Sequence, residues 1–389
     1  MKEPKIRFKG FSGEWETSII GDIATFSKGR GYSKSDLRSE GNPIVLYGRL
    51  YTNYASVIDS VDTFASLKNG SVLTKGNEVI IPGSGETPED IAVASAVEQK
   101  GVILGGDLNV LSFDHDKIVP TFAAMSITNS KTHYELSGYA QGKTVVHLHN
   151  SSISKGHISY PYIDEQRAIA SFFQHLDSLI QSTTKKIESL KQVKAASLQS
   201  MFPQEGETTP RVRFKGFEGE WEECLLKDKV NNITTGKLDA NAMVPNGKYR
   251  FYTCGKEYFK IDKYAFDDEA LLISGNGENV GYIHYYNGKF NAYQRTYVLT
   301  SFTLNVFYLE HYLKARLSIR INKEKSVANT PYIKMDTISD MNVLYPNDIA
   351  EQRAIASYFT TLDHQINLQT QRLEKLKQIK AACLDNMFV

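Results

Sequence analysis

Few stretches of this chain of 389 residues group side chains as catalysis requires, and each lacks a member. Ser137-Gly-Tyr-Ala-Gln-Gly-Lys-Thr144 nearly spells a glycine loop whose backbone N–H groups cradle phosphate while a lysine reaches it. That pattern needs glycine where Ser137 stands and should open a long helix, which Val145-Val-His-Leu-His-Asn-Ser-Ser does not. A polar loop is the better reading, with Lys143 and Thr144 meeting phosphate oxygens. His147 and His149, with His157 nearby, share a strand face, yet no carboxylate or cysteine at ligand spacing completes a metal set. Asp90, followed by Glu98-Gln-Lys100, loosely matches a nuclease arrangement, and such triplets are common by chance. No glycine-rich cofactor turn is followed by an acidic residue at the expected distance, so a built-in methyl-donor site is not expected. The sequence therefore predicts no catalytic residue, no metal and no cofactor in this chain.

Other candidates suit recognition. Arg30, Tyr32 and Lys34 cluster in one expected loop; Lys325 and Asn329 lie in another, and Arg295 stands just before a strand-like run. Counting back from Glu165 and Glu351 aligns Lys143-Thr144 with Asn329-Thr330. Ser84 and Asn276 occupy matching places in Ile81-Pro-Gly-Ser-Gly-Glu86 and Ile273-Ser-Gly-Asn-Gly-Glu278, where glycines permit tight turns or close backbone approach. Arginine and lysine read guanine or hold phosphate, and asparagine reads adenine. For each residue alone, a solvated surface or an ordinary turn is the competing reading. A formal net charge of +1 argues against an indiscriminate DNA coater but not against a sequence reader assisted by partners.

Two long helices must position these loops. In the second, Ile355, Phe359, Leu362, Ile366, Gln369, Leu373, Leu376, Lys380, Cys383 and Met387 alternate steps of four and three. Ile169, Phe173, Leu176, Ile180, Thr183, Ile187, Leu190, Lys194, Ser197 and Met201 do the same in the first. This is a heptad seam, the signature of a partner helix. Polar residues interrupt it at the same two places, Thr183/Gln369 and Lys194/Lys380, and such positions cost stability while fixing register. One amphipathic helix on a globular core is the competing reading; the matching interruptions favour mutual pairing. A helix of about 35 residues extends roughly 50 Å. An antiparallel pair would place its globular partners at opposite ends, able to set two recognition units about one DNA turn, ~34 Å, apart.

The helices belong to a repeated frame. Lys5-Ile-Arg-Phe-Lys-Gly-Phe-Ser-Gly-Glu-Trp15 returns as Arg211-Val-Arg-Phe-Lys-Gly-Phe-Glu-Gly-Glu-Trp221, and Glu165-Gln-Arg-Ala-Ile-Ala-Ser171 returns as Glu351-Gln-Arg-Ala-Ile-Ala-Ser357. Both helices run through Leu-Lys-Gln-(Val/Ile)-Lys-Ala-Ala to a closing Met-Phe, while the segments between scarcely resemble each other. Short β-branched runs such as Glu78-Val-Ile-Ile81 and Leu271-Leu-Ile273 alternate with turn residues, predicting α+β inserts of mixed α/β character. The expected divisions are 1–158, a first domain; 159–202, a helix; 203–210, a linker; 211–346, a second domain; and 347–389, a helix. Three scattered cysteines favour a reducing compartment, with cytoplasm the default, and no apolar run suits a membrane helix.

Leader and helix-entry motifs together, in order along the whole chain, resemble type I restriction-modification specificity subunits. The resemblance implies two target-recognition domains, each reading one half of a bipartite asymmetric DNA sequence. It implies that the helices form the spacer as an antiparallel coiled coil with a pseudo-two-fold internal repeat. Two methyltransferase subunits would dock on the helices and restriction/translocase subunits would join through them. Catalysis, S-adenosylmethionine, ATP and Mg2+ would then belong to those partners. The first insert departs by being longer than the second, and half-site contacts follow no transferable motif.

Overall fold

The leader Arg-Phe-x-Gly-Phe-x-Gly-x-Trp folds the same way at both its positions in the computed structural model, which describes residues 3–324 and 332–389. Arg7 donates from Nε and Nη2 to the two oxygens of Glu165, at 2.7 Å each; Arg213 donates likewise to Glu351, at 2.7 and 2.8 Å. Their Nη1 atoms donate to the Gly13 and Gly219 carbonyls at 2.6 Å, closing the turn. Those two glycines sit at φ +91° and +85°, where a side chain is strained, so the motif needs them. The tryptophans that end the motif are buried, with rings 5.6 Å from Phe122 and 5.9 Å from Tyr308. Gln166 and Gln352 complete the frame, each accepting the N–H just before a packed helix (Val119, Asn305) and donating to Pro161 or Pro346.

The chain divides into two compact units, one up to Thr183 with Arg372–Val389, the other Thr184–Gln371. The first long helix is Ile163–Ser200 and the second Ile349–Met387. Every predicted seam position is buried or half-buried, with mostly exposed residues between them. Within the second unit the pairing is antiparallel: Lys194 bonds Asp363, Ser197 Oγ lies 2.9 Å from Tyr358 Oη, and Phe202 stacks on Phe359 at 5.6 Å. The first unit repeats this with Lys380 on Asp177 and Phe388 on Phe173, the rings 5.9 Å apart. The lysines that interrupt the seam are thus answered by aspartates one residue past Leu176 and Leu362, which specifies this register over a slipped one.

Dissimilar sequences in the inserts give one topology. The first unit's main sheet runs Ala24–Lys28, Leu108–Phe113, Glu78–Pro82, Ser95–Val97, Val57–Ile58. In the second unit the order is Val230–Thr235, Thr296–Phe302, Phe266–Ser274, Ile283–Ala292, Tyr249–Tyr252, with Phe259–Ile261 added at the edge. The fourth and fifth strands are parallel in both, and the other neighbours antiparallel. Side chains alternate between the faces. Val79, Ile81, Leu111 and Phe113 face one helix-packed core, and Leu271, Ile273 and Leu299 face its counterpart. The helices on this face are Pro120–Asn129 and Val306–Glu324.

The outer faces differ. Ile80, Leu108 and Val110 lie under an aliphatic layer of Val45, Leu50 and Leu104, two of which, Val45 and Leu104, belong to a small four-stranded sheet that uses the first insert's extra length. The second unit's outer face carries Tyr252, Phe290, Phe266 and Tyr286 instead. Among the described residues no helix is long and apolar enough to cross a membrane.

Candidate nucleic-acid interface

In each unit the strand ends at one edge of the main sheet converge on a paired glycine turn. Gly83 donates its N–H to Asp107 O at 2.7 Å, and Gly275 donates to Arg295 O at 2.9 Å. A Cβ on Gly275 would stand 2.3 Å from the Arg295 carbonyl oxygen, so the chain's own backbone requires glycine there, while one on Gly83 would crowd Asp107, at 2.6 Å from its carboxylate Oδ1 and 3.0 Å from its carbonyl oxygen. The close approach the sequence suggested is therefore intramolecular. A third segment crosses the same turn, for Leu148 N–H donates to Gly83 O (3.1 Å) and Ile333 N–H to Gly275 O (2.9 Å).

Around this turn the first unit exposes Arg30, Lys34, Lys143 and Thr144. Gln141 and His147 exchange both backbone hydrogen bonds, at 2.9 and 2.7 Å, leaving Lys143 and Thr144 on the tip of a tight loop. Gly142 makes that loop possible at φ +135°, since a Cβ there would meet Val145 O at 2.0 Å. The segment is a hairpin tip rather than a helix opening, as expected of a polar loop. Beside it, Arg30 follows Gly29, whose missing side chain lets the strand end pass against Gly105.

Two candidates are placed differently. Tyr32 is buried, its hydroxyl 2.5 Å from Ser71 Oγ and accepting the Lys68 N–H at 2.8 Å, with Lys68 Nζ 4.6 Å above the ring. It pins the loop that carries Arg30 and Lys34 and offers no surface of its own. Ser84 is buried too, its hydroxyl bonded to the Asp107 carboxylate and its carbonyl accepting Tyr51 Oη–H at 2.6 Å. Both corrections have one cause: a polar side chain at a loop root finds its hydrogen-bond partners inside the fold, Ser84 on a carboxylate and Tyr32 on neighbouring backbone and a serine, before it meets solvent.

In the second unit Arg295 is exposed and Asn276 half-buried, the latter bridged to Tyr332 across an isolated antiparallel pair. Lys325, Asn329 and Thr330 lie outside the described residues. The sequence gives no interface role to the residues that flank the crossing segment, of which it singles out only His147 and His149, as a metal pair left incomplete. His147 and His149 stand exposed about buried Leu148 with rings stacked 6.2 Å apart, and Tyr332 and Lys334 stand exposed about buried Ile333. The alternation His-Leu-His already reads as one strand face in the sequence, whereas Tyr-Ile-Lys reads as strand only once its partner segment is known. Of the nuclease-like set, Glu98 accepts from Thr121 and Gln174 (3.0 and 2.8 Å) while Asp90 is bonded to Thr87, so the carboxylates do not converge. The described residues hold no group of three His, Cys, Asp or Glu side chains arranged to bind a metal ion.

Each unit therefore presents, on one shared backbone design, a different set of basic, aromatic and amide side chains. Residues 12–192 and 218–378 match the family described as the type I restriction modification DNA specificity domain. The chain belongs to this family. A specificity subunit of the type I restriction enzyme EcoDI from Escherichia coli is 37% identical over 160 residues, covering 41% of this chain and 35% of that subunit. The chain thus spans about a third of that relative. The MjaVIII specificity subunit of Methanocaldococcus jannaschii is 22% identical over 94% of this chain and 90% of its own length. Among solved structures, the S subunit of a type I restriction-modification system from M. genitalium superposes with a TM-score of 0.67 at 17% identity. That alignment covers 100% of this chain and 99% of the S subunit, and it carries the specificity-family fold across the whole chain.

Proposed function

We propose that this chain is the non-catalytic DNA-recognition subunit of a type I restriction-modification assembly, each domain reading one half of a bipartite asymmetric site. The observation that carries this reading is the pairing of one duplicated topology with two different residue sets at the same sheet edge. A duplex offers different base edges to each domain, whereas its phosphates are alike everywhere. The helices set the spacing between half-sites, and cytoplasm is the compartment.

Two methyltransferase subunits dock on the helices, and the restriction/translocase subunits join through them. In support, the frame repeats residues that it leaves at the surface. Val193 and Ile379 are 44% and 40% exposed, each followed three residues on by an exposed alanine, Ala196 or Ala382. A duplicated apolar patch without an internal role fits two copies of one partner. S-adenosylmethionine, ATP and Mg2+ bind those partners.

Methylome sequencing of a host carrying the chain with its methyltransferase partner tests the reading. A bipartite methylated sequence that disappears with this chain is the expected result. Methylation unchanged on its deletion overturns the assignment.

A further inference from the structure

The aromatic outer face of the second domain's sheet contains a feature that the paired-turn site does not use. Tyr249–Tyr252 and Phe259–Ile261 are antiparallel neighbours, and their register sets Arg250 directly opposite Lys260. Like charges opposite each other in a ladder are destabilising. Among the described residues neither cation forms an ion pair. Asp268, an exposed carboxylate that the strand alternation puts on this face, stands opposite Gly288 and bonds neither. Asp267 is answered by Lys289 at 3.8 Å, and Glu269 accepts from Tyr285 at 2.9 Å.

Aromatic rings hold the guanidinium instead. Arg250 Cζ lies 4.3 Å from the Tyr258 ring centre and 4.4 Å from that of Tyr286, and Nη1 donates to Tyr252 Oη at 3.2 Å. Lys260 Nζ is 5.6 Å from the Tyr258 ring. A planar cation held by its faces keeps its edge donors other than the one given to Tyr252 for an acceptor with two oxygens, and the adjacent ammonium adds a second positive charge.

We propose that Arg250 and Lys260, set by Tyr258 and Tyr286, form a phosphodiester-binding site that anchors the DNA backbone on this domain. The site rests on the DNA-recognition reading above and adds to it a contact that positions the duplex without reading bases. Its occupant is a backbone phosphate, because two neighbouring cations on a rigid sheet match a full anionic charge better than a neutral base edge.

The test uses the full chain co-purified with its methyltransferase partner, binding duplexes with and without the methylated sequence across a salt series. Arg250→Gln and Lys260→Gln should each weaken binding to both duplexes by the same factor, about 3- to 10-fold, with the methylated sequence unchanged. Each should reduce the slope of log Kd against log salt by about 1. Arg250→Lys, which keeps the charge, should retain the native slope even if packing suffers. Should Arg250→Gln fail to fold, Lys260→Gln decides, as its side chain is not in a core. A folded variant with native affinity and slope overturns the site, and so does a changed base in the methylated sequence. If the native assembly does not prefer its own sequence, the recognition reading itself fails.

Discussion

His311 and Met125 hold the same place in the two domains, six residues past the N–H that each frame glutamine accepts. Met125 is buried and apolar; His311 is 1% exposed, its ring 5.2 Å from Phe359. Burial, reinforced by Lys314, pushes its pKa from the ordinary 6.5 down to about 3. The unfolded chain therefore binds a proton near pH 6.5 that the folded one refuses. Stability from the neutral ring is complete above pH 6.5 and falls as pH drops toward 3, at about 1.4 kcal/mol per pH unit. Urea unfolding of His311→Met beside the native chain should show the variant gaining on the order of 2 kcal/mol at pH 5 relative to pH 7. An equal difference at both pH values would assign the acid sensitivity elsewhere. Arg213 makes the complementary case, since its removal strands the carboxylate of Glu351, whose side chain is 1% exposed. Arg213→Ala should lower stability by about 2–3 kcal/mol, and Arg213→Lys should restore little because an ammonium cannot make the two-pronged bond. Thermal unfolding checks both; full recovery with lysine would show that charge alone suffices.

At the level of elements, the long helices were the most legible part of the chain, because a heptad seam is a local signal repeated many times. Even its polar breaks were readable as register marks, although the identity of their partners, Asp177 and Asp363, depended on the antiparallel pairing. The sheets were legible as strands but not as an order, since the common topology comes from non-local pairing between sequences that share almost nothing. Tyr32 and Ser84 show the same limit at the candidate site: their types suit contact with DNA, yet neighbours distant in sequence bury them. The helices also carry the spacing prediction. Inserting one heptad at matched positions of both, beyond Thr183 and Gln369, keeps the seam and adds about 10 Å, near three base pairs. Methylome sequencing should find both half-sites intact with the gap widened by about three. An unchanged gap would remove the helices from the role of ruler.

Considered as a whole molecule, the chain separates what must stay the same from what can vary. Arg7 with Glu165 and Arg213 with Glu351 close each domain onto its helix through residues that both copies share. Inside that closure the first insert covers its outer sheet face with aliphatic residues and a second small sheet, and the second insert leaves tyrosines there. Such variation is tolerated because the clasp uses only the leader, the helix entry and the inward face of the sheet. The clasp residues lie outside the variable loops, so a foreign insert that supplies the same inward face should dock equally well. Replacing residues 15–155 by the corresponding segment of another family member should therefore yield a folded chain that directs its methyltransferase partner to a sequence new in one half-site only. The other half and the gap should remain native, because the second domain and both seams are untouched. Sequencing the methylated sites of the hybrid reads all three quantities at once. A change in both halves would mean that the domains do not read DNA independently, and a changed gap would mean that the insert, rather than the helices, sets the spacing.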